Sequence, residues 1–123
     1  MPILDVEVIG HQQGDPPTEK LADRIAQSVG IALGVPPGQL WVKLQRLSAS
    51  HYAENGPPNE VLPVFVTVLV RTREPSVWPA RAALIADAVA EATTRPRSAI
   101  HVIFDPDATG RVFFGGKPDS RTA

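Results

Sequence analysis

The stretch Met1-Pro2-Ile3-Leu4-Asp5-Val6-Glu7-Val8-Ile9 decides the fold, because its alternation of apolar and polar residues predicts a β-strand with one face on a core. A proline in second position allows removal of the initiator methionine, which leaves Pro2 with a free secondary amine. An α-amino group has a pKa of about 8, so beside an apolar wall or other cations it can act as a base at neutral pH. An ordinary processed terminus explains this dipeptide, taken alone, more simply.

Composition limits the classes of function that fit. The 123 residues, 43% of them hydrophobic, suit a single compact domain. Cysteine is absent, and His11, His51 and His101 lack metal-ligand spacing, so no metal site is predicted. A net charge of −1 without a basic run argues against nucleic acid and anionic membranes as partners. With no long apolar segment or leader, we expect a cytoplasmic protein that binds small molecules and copies of itself.

Residues 1–56 predict a first β-α-β unit. An apolar residue at every fourth position from Leu21 to Leu33 predicts a helix, which Asp15 is expected to cap and Gly34 to end. The run 40–44 alternates again and predicts a second strand, with Trp41 pointing away from the core. A loop containing Tyr52 follows.

Residues 61–116 predict a second β-α-β unit. The nearly continuous apolar run from Val64 to Val70 predicts a central strand that is covered on both faces. Ser76 is expected to cap a second helix, and a fourth strand places Ile100, Val102 and Phe104 inward. Residues 117–123 are predicted to form a mobile tail.

The two halves look like a duplication. Pro36, before the second strand, recurs as Pro96 before the fourth. When Pro2 is aligned with Pro63, the first half is one residue longer up to its second strand, and we assign this difference to an insertion in its turn or helix region. The fold class expected is α/β (α+β): a tandem β-α-β repeat with a four-stranded sheet and both helices on one face. The other face is predicted to be apolar and to drive self-association, through Trp41, Phe65, Leu69 and Ile103.

Together these features resemble the tautomerase superfamily, whose members share this fold and an N-terminal catalytic proline. The likeness extends over nearly the whole chain and rests on Pro2, on the segment 36–42 and on the glycine-ended loops at Gly56 and Gly116. Short members carry one unit and form hexamers, whereas long members fuse two units and form trimers, and this chain is similar to the long kind. The resemblance implies a homotrimeric, cofactor-independent isomerase. Pro2 would be the general base for keto-enol proton transfer on a small 2-oxo or enol carboxylic acid.

The resemblance also implies the other site residues. Arg71 and Arg73 are similar to the paired arginines that bind the substrate carboxylate in the superfamily's decarboxylases and dehalogenases, although a solvated turn also explains them. A further arginine of the family pattern, on the second strand of a unit, is replaced here by Trp41 and His101. Pocket-wall or substrate-binding roles are therefore expected for Trp41, His101, Tyr52 and Phe113, with a structural histidine and simple aromatic packing as the alternatives.

Two other functions fit the same residues. A dehalogenase or decarboxylase of the superfamily needs a water-activating acid, for which the sequence offers no clear candidate. A non-catalytic, oligomeric binding protein would share only the fold, and the missing arginines at positions 41 and 101 favour it. Retention of Met1 would favour it too, because a proline amide has no basic nitrogen.

Overall fold

The chain forms two β-α-β units followed by a short hairpin. The computed structural model describes residues 2–57, 60–70, 74–105 and 110–118. The first unit is β1 (Ile3–Ile9), α1 (Thr18–Leu33) and β2 (Trp41–Leu47), and the second is β3 (Val64–Leu69), α2 (Trp78–Thr93) and β4 (Ile100–Phe104). The hairpin pairs β5 (Phe113–Phe114) with β6 (Lys117–Pro118), so strand pairing extends into the first residues of the predicted tail.

One mixed sheet holds the four long strands in the order β2-β1-β3-β4. β1 and β2 are parallel, β3 and β4 are parallel, and the central pair β1 and β3 is antiparallel. The two helices pack against each other, and they also pack on β2 and β4 respectively. The predicted four-stranded sheet, the two helices and the central position of β3 are therefore confirmed.

The core lies between this sheet and the helices. Alternate residues of β1 and β3 are almost completely buried against the apolar stripes of α1 and α2. Each large aliphatic side chain buried in this way stabilises the fold by about 1.5–3 kcal/mol. The main contributors are Leu4, Val6, Val8, Val64, Val66, Val68, Leu21, Ile25, Val29, Ile85 and Val89.

The remaining side chains of the strands form what we call the open face, on the side of the sheet away from the helices. Its apolar row, Trp41, Ile3 and Leu69, lies at the end where β1 begins. The next row is charged, because Lys43 Nζ lies 3.1 Å from Asp5 Oδ1. The apolar surface predicted from the sequence is thus interrupted by an ion pair. On the open side of β3, Phe65, Thr67 and Leu69 are only partly buried in the single chain.

The repeat has a constant offset, which corrects the predicted insertion. α1 and α2 both have 16 residues and begin 60 positions apart, at Thr18 and Trp78. β1 and β3 also end 60 positions apart. Pro63 therefore corresponds to Ile3 rather than to Pro2, and the one-residue insertion is wrong.

The helix starts also differ from the prediction. α1 begins after Pro17 and α2 after Val77, and neither has a side-chain cap, so the predicted caps Asp15 and Ser76 are wrong. Gly34 ends α1 with a φ of 66°, as predicted.

Asp15 instead belongs to a cluster that we call the arginine clamp, made of Asp15, Arg46 and Arg95. The Arg95 side chain is 1% exposed, and its Nη2 lies 2.8 Å from Asp15 Oδ2. Its Nε donates to Asp15 Oδ1 at 3.2 Å. Arg46 Nη1 lies 3.3 Å from the same carboxylate. One carboxylate therefore accepts hydrogen bonds from two guanidinium groups.

The clamp also binds backbone carbonyls from both halves of the chain. Arg95 Nη1 donates to Ile9 O at 2.6 Å and to Leu62 O at 3.1 Å. Gly10 O accepts from Arg95 Nη2 at 3.0 Å and from Arg46 Nη1 at 2.6 Å. Arg95 follows α2, so its guanidinium joins the end of β1, the start of β3 and the end of α2.

We expect Arg95→Met to lower the free energy of unfolding by about 3–5 kcal/mol, because it leaves a largely buried carboxylate and several carbonyls without their donor. Urea denaturation measures this difference. Arg97→Met is the matched control, because Arg97 pairs with Asp87 where the two side chains are 58% and 62% exposed. The control should change stability by less than about 1 kcal/mol. Equal losses in the two variants would contradict the role of the clamp.

Asp15 should also make stability depend on pH. Burial alone would raise the pKa of its carboxyl group, but the hydrogen bonds from Arg95, the Gln12 amide and Arg46, with the Arg95 charge, outweigh burial and lower the pKa below 3.8. A carboxyl group with a lowered folded-state pKa stabilises the protein above its unfolded-state pKa, and this contribution is lost as pH falls through the folded-state pKa.

The expected outcome is a stability difference between wild type and Asp15→Asn that is constant above about pH 5 and shrinks below about pH 4. Unfolding curves recorded from pH 7 to pH 2 give this difference. Asp87→Asn, which removes an exposed carboxylate, should show only a small difference throughout. A difference for Asp15→Asn that persists undiminished to pH 2 would assign the acid sensitivity to other groups.

Candidate active site

Pro2 lies at the head of β1, where the backbone holds it against β2. It is buried, and its carbonyl accepts a hydrogen bond from the Trp41 amide at 3.1 Å. The next residue, Ile3, lies between Trp41 of β2 and Leu69 of β3. Pro2 therefore has apolar neighbours at the end of the sheet where β1 begins and β3 ends.

The Trp41 ring lies on the open face beside Ile3, and the hairpin adds a second ring there. Phe114 stacks on Trp41 with ring centroids 5.2 Å apart and planes 28° apart. Phe113, the predicted aromatic residue, is 57% exposed. Successive residues of a strand point to opposite sides, so only one of the two can face the sheet. Sequence reasoning missed Phe114 because it lacked the register of the hairpin.

On the helix side, the same end of the sheet carries another aromatic pair. Phe104 of β4 lies beside Val68, and its ring stacks on Trp78 at 5.3 Å with planes 6° apart. Val70 is buried next to the end of β3. Phe104 was predicted to point inward from the fourth strand, and Trp78 was not singled out in the sequence.

Arg71 and Arg73 lie outside the described residues. β3 ends at Leu69 and Val70 is described, so the chain reaches this segment at the Pro2 end of the sheet. In the strand order, β3 lies on one side of β1, and β2 with Trp41 lies on the other.

Tyr52 and His101 form a separate group around Phe65. The Tyr52 and Phe65 ring centroids are 6.2 Å apart, and those of Phe65 and His101 are 5.3 Å apart. Phe65 is paired with Glu7, four residues along β1 from Ile3, which corresponds to about 13 Å. Within one chain, these two predicted residues therefore do not share a small site with Pro2.

Tyr52 is protonated at neutral pH. Its hydroxyl donates a hydrogen bond to Glu54 Oε2 at 2.5 Å. This hydrogen bond, with smaller effects of burial and of the Glu54 charge, raises the pKa of Tyr52 above 10.0. Tyr52 can therefore donate a hydrogen bond, but it is not a base near pH 7.

Metal binding and membrane insertion are not indicated by the described residues. Within the described ranges, histidine, aspartate and glutamate side chains form no group of three or more that could hold a metal ion. None of the described helices is both long and apolar enough to cross a membrane.

Comparison with known proteins identifies the fold. No protein-family model and no curated protein matches the chain. The solved structure of Pt0534 inactivated by 2-oxo-3-pentynoate is similar, with a TM-score of 0.72 and 20% identity over 96% of this chain and 95% of that one.

Two further structures have the same architecture. A wild-type fused 4-OT symmetric trimer has a TM-score of 0.70 and 17% identity, over 94% of this chain and 93% of that one. Macrophage migration inhibitory factor from Oncomelania hupensis has a TM-score of 0.64 and 23% identity, over 97% and 98%. The predicted tautomerase-like fold with two fused units is therefore confirmed.

Proposed function

We propose that this chain is a cofactor-independent tautomerase that acts on a small 2-oxo or enol carboxylic acid, with Pro2 of the Met1-free protein as general base. The observation that carries the proposal is the position of Pro2 at the head of a buried strand, with Trp41 bonded to its backbone and the 71–73 segment following the neighbouring strand. Apolar neighbours disfavour a protonated amine and so favour a neutral base.

The reaction needs a single base. The neutral Pro2 nitrogen takes a proton from the carbon next to the substrate carbonyl, and the C–H electron pair moves toward the carbonyl oxygen to give an enolate. The protonated amine then returns the proton to that oxygen, which completes the conversion of keto to enol form. The reverse sequence converts enol to keto.

Arg71 and Arg73 have the role of holding the substrate carboxylate in this proposal. A guanidinium group binds a carboxylate through two parallel hydrogen bonds, and a pair of them stabilises the negative charge that develops on the enolate. This assignment rests on their place in the chain directly after β3, which ends beside Pro2.

The assembly proposed is a homotrimer. The Tyr52 group lies about 13 Å from the Pro2 end of its own chain, so it contributes to substrate binding only if a neighbouring copy brings it to Pro2. Burial of the open face against copies of the chain also removes its apolar row from water. Similar structures described as fused 4-OT trimers support this assembly.

We expect 2-oxo-3-pentynoate, the compound that inactivates Pt0534, to modify this protein at Pro2. A neutral secondary amine adds to the alkyne carbon β to the ketone. A nitrogen–carbon bond forms there, one π bond of the alkyne breaks, and the amine proton moves to the carbon α to the ketone. Intact-mass and peptide mass spectrometry should find one inhibitor per chain, on the N-terminal peptide, with matching loss of phenylenolpyruvate tautomerisation.

Two variants test the roles of Pro2 and Arg73 in turnover and in this labelling. Pro2→Ala should strongly lower turnover and leave the fold intact, because a primary amine differs in basicity and geometry. Arg73→Ala should slow labelling by about ten- to a hundredfold if it binds the inhibitor carboxylate. Labelling on lysines alone, or unchanged turnover after Pro2→Ala, would remove Pro2 from the mechanism and favour a binding protein.

Sedimentation velocity should show a species of three chains of 13.2 kDa each at micromolar concentration. Ile103→Glu should shift this species toward monomer, because Ile103 is a 50% exposed residue of the open face. Leu84→Glu is the matched control, since Leu84 is 44% exposed on α2. A stable wild-type monomer, or equal dissociation in both variants, would contradict the trimer built on the open face.

A further inference from the structure

A cavity of about 320 Å³ lies beside the C-terminal half of α1. We call it the α1 cavity, because this helix forms one wall and the segment that leads from α1 to β2 forms the other. None of the residues assigned to the candidate active site is among the described residues that line it. The lining includes Gln27, Gly30, Ile31, Val35, Pro36 and Leu40.

The lining of the α1 cavity is apolar and uncharged. Among the described lining residues, Gln27 alone has a polar side chain, and its amide can both donate and accept a hydrogen bond. Sites for small molecules have volumes of about 300–1,000 Å³ and combine an apolar lining with a few polar groups. The α1 cavity is at the small end of this range, which suits a molecule of one or two rings.

Ile31 borders this cavity and is unusually exposed. It is 83% exposed, whereas the other large apolar residues at the surface of the described chain are 36% to 57% exposed. A single exposed apolar side chain is ordinary on a protein surface. Ile31, however, extends the apolar lining of a cavity outward, so a bound molecule would cover both.

The second unit provides an internal comparison, because α1 and α2 have equal lengths and begin 60 positions apart. Glu91 occupies the position of Ile31, and Asp87 occupies the position of Gln27. Both acidic residues are exposed, and Asp87 pairs with Arg97. A β-α-β unit of this kind therefore folds with charged residues at these positions, and the uncharged surface is particular to the first unit.

Gly30 also distinguishes the first unit, since its equivalent in α2 is Ala90. The fold does not require a glycine here. A Cβ atom on Gly30 would lie 4.0 Å from Val35 O, which is an ordinary contact, and the residue does not have a positive φ. An interior glycine weakens a helix relative to alanine. The missing side chain adds space to the cavity, just as Ile31 adds apolar surface.

The surface next to the cavity favours a small molecule over a protein partner. Charged residues are depleted from the centres of protein interfaces, which bury about 800 Å² on each partner. Toward the N-terminus of α1 the apolar surface ends at Gln27, because the residues beyond it are mostly charged. These are Glu19, Lys20, Asp23 and Arg24.

We propose that the α1 cavity binds a small uncharged molecule that has an apolar ring system and one polar group, with the Gln27 amide as the hydrogen-bond partner of that group. A carboxylate is excluded from the class, because burial of a charge in this lining leaves it without a partner. The site is therefore distinct from that of the acid substrate in the proposed function.

Two matched probes test the proposal. 2-Naphthol is uncharged at neutral pH, whereas 2-naphthoate has the same rings and a negative charge. In an NMR titration of ¹⁵N-labelled protein, 2-naphthol should cause saturable shifts of the amide signals of residues 26–40, with a Kd between about 10 μM and 1 mM. 2-Naphthoate should bind there at least about tenfold more weakly. No saturable shift, or shifts confined to Pro2 and its neighbours, would overturn the proposal.

The residues of the second unit supply the test variant. Gly30→Ala combined with Ile31→Glu gives α1 the residues of α2, and it should weaken 2-naphthol binding by at least about tenfold, because it fills space and places a charge at the cavity. Gly30→Ala alone, for which the helix has room, should weaken binding to a smaller extent. Leu84→Glu is the matched control on α2 and should change the affinity by less than about twofold.

Circular dichroism should show the same fold in all these variants. Unchanged affinity in the double variant, or equal weakening by Leu84→Glu, would contradict a site at the α1 cavity. Sedimentation without a probe tests the other possible occupant. A smaller assembly of the double variant than of Leu84→Glu would identify this surface as an interface between copies of the chain, which would also overturn the proposal.

Discussion

The interaction on which the rest of the structure depends is the bond between the Arg95 guanidinium and the Asp15 carboxylate. A buried charge without a partner is costly, so the position of Arg95, 1% exposed, is tolerated only because a carboxylate and several carbonyls satisfy its N–H groups. Those acceptors come from the end of β1, the start of β3 and the turn before α1. One side chain thereby fixes the junction between the two units.

The clamp and the candidate site lie at opposite ends of β1. The clamp holds Ile9 and Gly10, whereas Pro2 and Trp41 lie at the other end. Fixing one end of the central strands sets their register and hence the position of Pro2. At the end that carries Pro2, the hairpin meets the sheet through the stack of Phe114 on Trp41.

Much of the fold was predictable because it follows from periodicity. Alternation in β1, β2 and β4 correctly assigned the inward residues, and the apolar run from Val64 to Val70 correctly identified a central strand. The clamp was not predictable, because Arg95 looks like a helix-ending residue and its partner Asp15 lies 80 positions away. The same limitation explains why Asp15 was taken for a cap.

Some of the arrangement around Pro2 follows from the order of the elements. The backbone hydrogen bond between Trp41 and Pro2 follows from pairing the first two strands in parallel. Parallel pairing also carries the loop after β2, with Tyr52, to the end of the sheet away from Pro2, and a family pattern alone does not show this separation. The sequence alone does not decide whether Phe113 or Phe114 stacks on Trp41, because this depends on the register of the hairpin.

The most direct measurement compares the chain with and without a free Pro2 amine. One preparation has Met1 removed, and the other keeps an uncleaved N-terminal extension, so that its Pro2 nitrogen is an amide; intact mass identifies each. We predict that the trimmed protein tautomerises phenylenolpyruvate or 2-hydroxymuconate and that the extended protein, with the same fold by circular dichroism, does not. Equal turnover by both preparations would contradict a mechanism based on the N-terminal proline.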